Sequence, residues 1–236
     1  MTLRRRISTP EAKRRYVRTL FATIADRYDL VTVALSYGRD RRWKRRLVDL
    51  VHFEADTRSL DLATGTGDIA YLLRKRCLRV VGLDITRRMI ELARAKGSGG
   101  DAPTFLVGDM TTLPFAGSVF DVVTTGYGLR NVPELTRALD EIHRVLRSGG
   151  QALSLDFNRP TNWMLRVMYF SYLWVVGSAL GWFLHGDPDT YRYIPASLHT
   201  HPGAEAMTRL MRARGFRTVT SYSVLGGFMA IHCAVK

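Results

Sequence analysis

Apolar residues recur along this 236-residue chain in two alternating rhythms. Behind Thr9-Pro10, which reads as an N-cap with proline at the first helical position, Val17, Leu20, Phe21, Ile24 and Tyr28 fall at helical spacing and predict an amphipathic helix of about 18 residues. Residues 28–40, with Ser36-Tyr37-Gly38, are expected as a loop, and 41–51 as a second helix with Trp43, Leu47 and Leu50 inward. From Arg58 the rhythm changes. Short strands are expected at 59–63, 79–83, 104–107, 120–125 and 151–156, with helices near 67–76, 87–96 and 133–146, the last ending at Gly149-Gly150. That alternation is the signature of an α/β fold with a doubly wound, mostly parallel sheet. A helix through Met207, Leu210 and Met211 and an antiparallel hairpin, 217–224 and 228–235, close the chain and bring the expected sheet to seven strands.

One stretch breaks both rhythms. Residues 167–184 are 18 positions without a charge, the lower limit for a membrane span. A complete span is disfavoured because Gly177 and Gly181 interrupt it, Tyr and Ser are scattered through it, and strands of the same domain resume beyond it. The expectation is a hydrophobic lid, buried or touching lipid. The whole chain then reads as a single domain, 1–236, with a basic N-terminal helical region (1–52), a central α/β core (58–157), the lid (158–202) and a C-terminal helix and hairpin (203–236).

Charge adds an asymmetry. The net charge is +14, and residues 1–46 hold 14 Lys/Arg against 4 Asp/Glu. Residues 1–9 are expected as a flexible basic tail. The run Arg41, Arg42, Lys44, Arg45, Arg46 is either a solvated helix face or a contact to an anionic surface. Nucleic acid is not expected as a partner, since the basic region lacks interleaved aromatic residues and no RNA-binding module is recognisable. Two cysteines, Cys77 and Cys233, are too few for a disulfide framework or a cysteine zinc site, and His199-x-His201 lacks a third ligand, so no metal is expected. With a basic N-terminus lacking an apolar signal core, the chain reads as cytoplasmic.

The chemistry starts at 60–70, Leu-Asp-Leu-Ala-Thr-Gly-Thr-Gly-Asp-Ile-Ala, a strand that ends in a glycine turn and feeds a helix. Gly65-x-Gly67-x-x-Ala70, with Asp84 ending the next strand, formally fits a dinucleotide fingerprint. Asp61 ahead of the turn, Gly108-Asp109-Met110 after the third strand, and closure by a hairpin instead of a second mononucleotide half move the reading to S-adenosylmethionine. Asp84, with Ile85 beside it, is placed to accept from ribose hydroxyls and Asp109 from the adenine amino group, while the turn of Thr64, Gly65, Thr66 and Gly67 offers backbone to the methionine end. Helix capping by Asp84 and a simple turn at Asp109 are the bland alternatives.

With these residues in place the chain resembles the ubiquinone/menaquinone biosynthesis C-methyltransferases, class I S-adenosylmethionine-dependent enzymes, over nearly its whole length. Tyr28-Asp29-Leu30, Leu35-Ser36-Tyr37-Gly38 and Trp43-Lys44 resemble the family's first signature; Gly128-Leu129-Arg130-Asn131-Val132, Ala138-Leu139 and His143-Arg144-Val145-Leu146 its second; Gly186-Asp187, Tyr191-Arg192-Tyr193-Ile194, Ser197 and His201-Pro202 a third. The resemblance places cofactor contacts at Thr66, Asp84, Asp109 and Met110. It implies C-methylation of a lipid quinol, or of another hydrophobic acceptor, with water-assisted deprotonation arranged by Arg130, Asn131 and Tyr28. Since arginine stays protonated at any working pH, Arg130 is expected to stabilise the phenolate and position water. Peripheral membrane contact follows from a lipid substrate; a homodimer is left open. Four positions depart from the family: Val31-Thr32 stand where Met-Asn is usual, Asp40 replaces a histidine, and Gly126 replaces a small hydroxyl residue that helps hold the cofactor. A methyltransferase of the same fold with a different small hydrophobic or phenolic acceptor is the alternative.

Overall fold

The computed structural model describes residues 8–36, 38–97, 101–160 and 162–236. Most of the expected basic tail, and Tyr37 of the first signature, lie outside the described residues. The chain opens with α1 (Pro10–Ile24), whose Thr9 hydroxyl accepts from the Ala12 N–H as an N-cap should. A 3₁₀ turn (Ala25–Arg27) leads into α2 (Tyr28–Leu35). Residues 28–35 were expected as loop because Val31, Thr32 and Val33 are β-branched and weak helix formers. Burial overrides that preference: Val31 and Leu35 pack with Ile24, Tyr191, Val176, Leu180 and Leu184 in a cluster that no local rule discloses.

Next come α3 (Asp40–Asp49), β1 (Arg58–Leu62), α4 (Asp68–Arg74), β2 (Arg79–Asp84), α5 (Arg87–Lys96), β3 (Thr104–Val107) and β4 (Phe120–Gly126). A 3₁₀ turn (Leu129–Asn131), α6 (Leu135–Val145), β5 (Leu146–Phe157), α7 (Trp163–His185), α8 (Asp189–Thr200), α9 (Ala204–Ala213), β6 (Thr218–Val224) and β7 (Met229–Val235) complete it. The seven strands form one sheet in the order β3-β2-β1-β4-β5-β7-β6. All neighbours are parallel except β7, which runs antiparallel to both β5 and β6.

Each face of the sheet carries its own core. Trp43, Leu47 and Val48 of α3 join Ile69 and Leu73 of α4 and Ile90 and Ala93 of α5 on one side. On the other, Leu139 and Ile142 of α6 meet Met207 and Met211 of α9. Gly149-Gly150 do not end α6. The helix stops at Val145, β5 begins at Leu146, and the glycines take up a register shift in which Leu146 pairs with Phe120 and Gln151 with Val122. Gly149, at φ +79°, reaches that irregular path without a Cβ penalty.

Helix α7 runs through Gly177 and Gly181 without a break, so these glycines are not interruptions. They are where α8 and the turn before it come close: a Cβ on Gly177 would lie 3.4 Å from Tyr191 of α8, and one on Gly181 would lie 2.5 Å from the Asp187 carbonyl oxygen of the turn. Asn162 caps the helix at one end and Gly186, at φ +66°, closes it at the other. Its outer face is bare, with Trp163, Met168, Trp174, Trp182 and Phe183 all more than half exposed.

Candidate active site

Strand β1 ends below a turn that its own carboxylate holds. Asp61 is buried; one oxygen accepts from the Thr64 hydroxyl at 2.6 Å and the other from the Thr124 hydroxyl of β4 at 2.8 Å. Burial in this setting pushes its pKa up to about 7, against the pull of those hydrogen bonds. Ala63 at φ +50° and Gly65 at φ +56° turn the chain, and the Gly65 N–H donates to Asp84 at the end of β2, 2.9 Å away. The second Asp84 oxygen takes the Thr86 N–H at 2.8 Å. Two backbone donors leave each oxygen a further acceptor site, while burial still raises the carboxyl's pKa.

Asp109 after β3 accepts from both the N–H and the hydroxyl of Thr111, at 2.8 and 2.7 Å, and pairs with Arg14 of α1 at 2.9 Å. That arginine had no signal in the sequence, because what binds it to Asp109 is the fold of α1 across the strand ends. These groups line a solvent-open cavity of about 680 Å³, its mouth included. Gly65, Asp84, Ile85, Asp109, Met110 and Gly126 line it, together with Tyr28 and Asn131. Asp61, Thr64, Thr66 and Gly67 do not. The first two support the turn from beneath, and Thr66 is turned toward Asp29 and Lys96, at 2.7 and 2.8 Å.

A second cavity of about 600 Å³ adjoins the first and shares Phe21, Tyr28 and Tyr127 with it. It is walled by apolar and aromatic side chains from α1, α2, Trp43, Phe157 and, from α8, Tyr191, Tyr193 and Ile194. Tyr28 stands between the two cavities, with its ring 3.7 Å from where a Gly65 Cβ would be. Burial raises the pKa of its hydroxyl, so it stays protonated at neutral pH.

Arg130 and Asn131 part company. Arg130 lines the second cavity and Asn131 the first. Both donate to the Tyr127 carbonyl at 2.8 Å, from Nη1 and Nδ2. Arg130 also forms a buried ion pair with Asp156 of β5 at 3.2 Å and lies over the Phe157 ring at 4.9 Å. Asp156 escaped notice in the sequence because it is 26 residues away and sits in what reads only as a strand end. Arg130 Nε, Asn131 Oδ1 and Tyr193 Oη are buried without a hydrogen-bond partner among the described residues. Buried polar atoms left open in this way are costly unless a ligand or water meets them.

The first cavity fits S-adenosylmethionine by the chemistry of its donors. Acceptor carboxylates stand at the ends of β2 and β3, Met89, Met110 and Val132 add apolar wall, and the ends of β1 and β4 contribute Gly65, Gly126 and Gly128. His199 stacks on Phe170 at 4.7 Å, and His201 is buried, which lowers its pKa. Among the described residues no group of His, Cys, Asp or Glu is arranged to hold a metal.

Comparison with known proteins agrees with this geometry. The model of the ubiE/COQ5 methyltransferase family matches residues 9–236. A demethylmenaquinone methyltransferase of Thermus thermophilus is 41% identical over 217 residues, covering 90% of this chain and 98% of its own. The ubiquinone/menaquinone biosynthesis C-methyltransferase of Azotobacter vinelandii is 35% identical over 237 residues, covering 97% and 93%. Among solved structures, an S-adenosylmethionine-dependent methyltransferase from Mesorhizobium loti aligns with a TM-score of 0.58 at 17% identity, covering 81% of this chain and 96% of its own. Phosphoethanolamine N-methyltransferase 2 of Haemonchus contortus, in complex with S-adenosyl-L-methionine, aligns with a TM-score of 0.61 at 14% identity, covering 83% and 52%.

Proposed function

The chain belongs to the ubiE/COQ5 methyltransferase family and is an S-adenosylmethionine-dependent methyltransferase, and from that premise we propose that it methylates a ring carbon of a polyprenyl demethylquinol in menaquinone or ubiquinone biosynthesis. The observation that carries the acceptor is the second cavity: apolar, aromatic, and sharing Phe21, Tyr28 and Tyr127 with the first. When bound, the cofactor supplies an electrophilic methyl group on a sulfonium. The chain's task is to align that methyl with the acceptor carbon and to favour the ionised ring.

Arg130 serves the second need. Its Nη1 is held by Tyr127 and Asp156, so the guanidinium of this cavity-lining residue cannot swing away. A fixed positive charge beside a developing phenolate stabilises it without reorganisation. Tyr28, protonated, donates a hydrogen bond at the boundary where the methyl crosses. Purified protein given radiolabelled S-adenosylmethionine and demethylmenaquinol is expected to yield labelled menaquinol; no labelled product from any quinol overturns the assignment. The alternative, a different phenolic acceptor, is favoured by one observation: the family departures Val31 and Thr32 both line the second cavity. Testing a panel of hydroxylated ring acceptors in the same assay separates the two.

Helix α7 supports membrane contact for such a substrate. It is long and apolar enough to cross a bilayer, yet only 17% of its apolar window is buried. A crossing conflicts with the topology, because β7 returns to pair with β5, and α8, at 12 residues, spans about 18 Å against a hydrocarbon core of about 30 Å. Lying along the interface satisfies both facts. Arg39, Arg42, Arg45 and Arg46 line an open cleft on the far side of Trp43, which itself lines the second cavity, and would meet anionic headgroups. This reading places the enzyme in the cytoplasm at the inner membrane face. Flotation with anionic vesicles at low salt is expected to carry the protein up, and Trp163→Ser/Trp174→Ser/Trp182→Ser to leave it behind; wild-type protein that stays at the bottom overturns membrane contact.

A further inference from the structure

Tyr127 occupies a position that packing alone does not require. Its backbone is left-handed at φ +59°, a conformation costly for a bulky residue, and it is held there by its N–H on the Leu155 carbonyl at 2.7 Å and by Arg130 and Asn131 on its own carbonyl. The result is a residue that lines both cavities while its hydroxyl donates to Asp40 Oδ1 at 2.8 Å. Asp40 is buried at the start of α3, and its other oxygen holds Lys44 Nζ at 2.6 Å. Lys44 continues to Asp68 at 2.9 Å, Asp68 to Lys96 at 3.0 Å, and Lys96 to Asp29 at 2.7 Å, where the side chains are a third to a half exposed. A buried carboxylate is thus hydrogen-bonded to a residue in the wall that the two cavities share.

We propose that Asp40, acting through the Tyr127 hydroxyl, receives the proton that the acceptor ring gives up. The inference rests on the quinol reading above and adds a destination for the proton. The acceptor hydroxyl passes its proton to Tyr127 Oη as Tyr127 passes its own to Asp40 Oδ1, and the electron pair left on the acceptor oxygen pushes into the ring. The ring carbon then forms its bond to the methyl carbon, and the sulfur–methyl pair stays on sulfur. The methylated carbon loses its hydrogen as the ring carbonyl regains a hydroxyl, a proton-neutral tautomerisation. One proton per turnover remains on Asp40 and passes to water when the product leaves.

The charges facing Asp40 suit this role. Lys44 faces it from its own helix, Tyr127 from the end of β4 and Tyr28 from α2, with Asp68 of α4 behind Lys44; beyond these, Asp156 acts on Tyr127 and Arg130 on Tyr28. Lys44 keeps its proton, since Asp40 and Asp68 outweigh its burial and raise its pKa, so it neutralises the carboxylate without competing as a base.

The test is a pH profile of Asp40→Asn and Tyr127→Phe on two acceptors. One is a demethylquinol, whose hydroxyl ionises near the ordinary phenol value of about 10; the other is an electron-poor analogue already ionised at the assay pH. Wild-type kcat is expected to be flat around neutrality. With the demethylquinol, both variants are expected to lose about 10²–10⁴-fold at pH 7.5 and to recover tenfold per pH unit toward the ionisation of the acceptor itself. With the ionised analogue they should keep most of the wild-type rate. Tyr127→Phe leaves the Asp40–Lys44 pair in place and so guards against misfolding of Asp40→Asn, and calorimetry should find cofactor affinity unchanged in Asp40→Asn. Equal losses on both acceptors at every pH, or an unaltered rate in Tyr127→Phe, overturn the relay and leave Asp40 a structural ion-pair residue. Absence of quinol turnover by the wild type defeats the acceptor reading itself, and this inference with it.

Discussion

The first cavity takes most of its wall from the ends of β1, β2, β3 and β4, so the polar groups there are mainly carboxylates and backbone held by loops a few residues long. The second takes its wall from α1, α2, α3, α8 and single residues at 127, 130 and 157, brought together across more than 150 positions of sequence. One is a local product of strand ends, the other a product of assembly. The difference predicts where substitutions will act: strand-end changes on cofactor affinity, assembled-wall changes on turnover and on the fold itself.

The largest expected effect lies on the assembled side. Arg130→Ala leaves Asp156 buried without its partner, a change that costs about 3–5 kcal/mol of stability. The double variant Arg130→Met/Asp156→Asn removes both charges and isolates the chemistry. We expect it to bind S-adenosylmethionine normally by calorimetry and to lose about 10²–10³-fold in kcat. Unchanged turnover would sink the role given to Arg130.

On the strand-end side, Asp84→Asn should do the reverse. It loses a charged acceptor for ribose hydroxyls and leaves the Gly65 and Thr86 N–H groups with one good partner between them, since an amide NH₂ cannot accept. A lost hydrogen bond to a charged group is worth about 1.5–3 kcal/mol, so cofactor affinity should fall by roughly one to two orders of magnitude, with kcat at saturating cofactor within a few-fold of wild type. A fall in kcat alone would erase the distinction between the two cavities.

This contrast also explains what was legible beforehand. The glycine turn, Asp84 and Asp109 could be found because a strand end and its loop are contiguous, and the strand rhythm places them. The mostly parallel seven-stranded sheet and the closing hairpin follow from the same alternation. Helix α2 was missed because its β-branched residues contradict the helix that tertiary burial imposes. Gly177 and Gly181 were misread as interruptions, since a lone glycine looks the same whether it breaks a helix or admits another. Arg14, Asp156 and the Tyr127–Asp40 pair have no local signature at all, the last being 87 residues apart. The residues implied by resemblance, Tyr28, Arg130 and Asn131, do come together, but only the structure divides them between the two cavities.

A pH effect belongs to the strand-end side. Asp61 has a pKa of about 7 in the folded chain, above the ordinary carboxyl value of 3.8. The folded state therefore holds this proton where the unfolded state has lost it, and its contribution to stability is fully present below about pH 4 and declines as pH rises toward 7. Thermal unfolding of wild type against Asp61→Asn should show a difference that changes between pH 4 and 7 and is level above. A difference constant across that window would mean that Asp61 titrates as in the unfolded chain.

The smallest effect is expected at Gly126, the departure that lines the first cavity. If the missing hydroxyl were needed by the cofactor, Gly126→Ser should tighten binding. A Cβ there would lie 2.5 Å from Ile69 Cδ1, the far end of a flexible side chain, so the substitution forces Ile69 to move and meets a packing cost of about 1–3 kcal/mol. Shortening that side chain in Gly126→Ser/Ile69→Val removes the clash and lets the hydroxyl act alone. Because Gly65, Asp84 and Asp109 already line the cavity with charged and backbone partners, we expect the double variant to change cofactor affinity by less than about fivefold, one net hydrogen bond being worth about 1 kcal/mol. A gain of a hundredfold would mean that the strand-end side is incomplete as it stands, and that the departures in this chain concern its cofactor more than its acceptor.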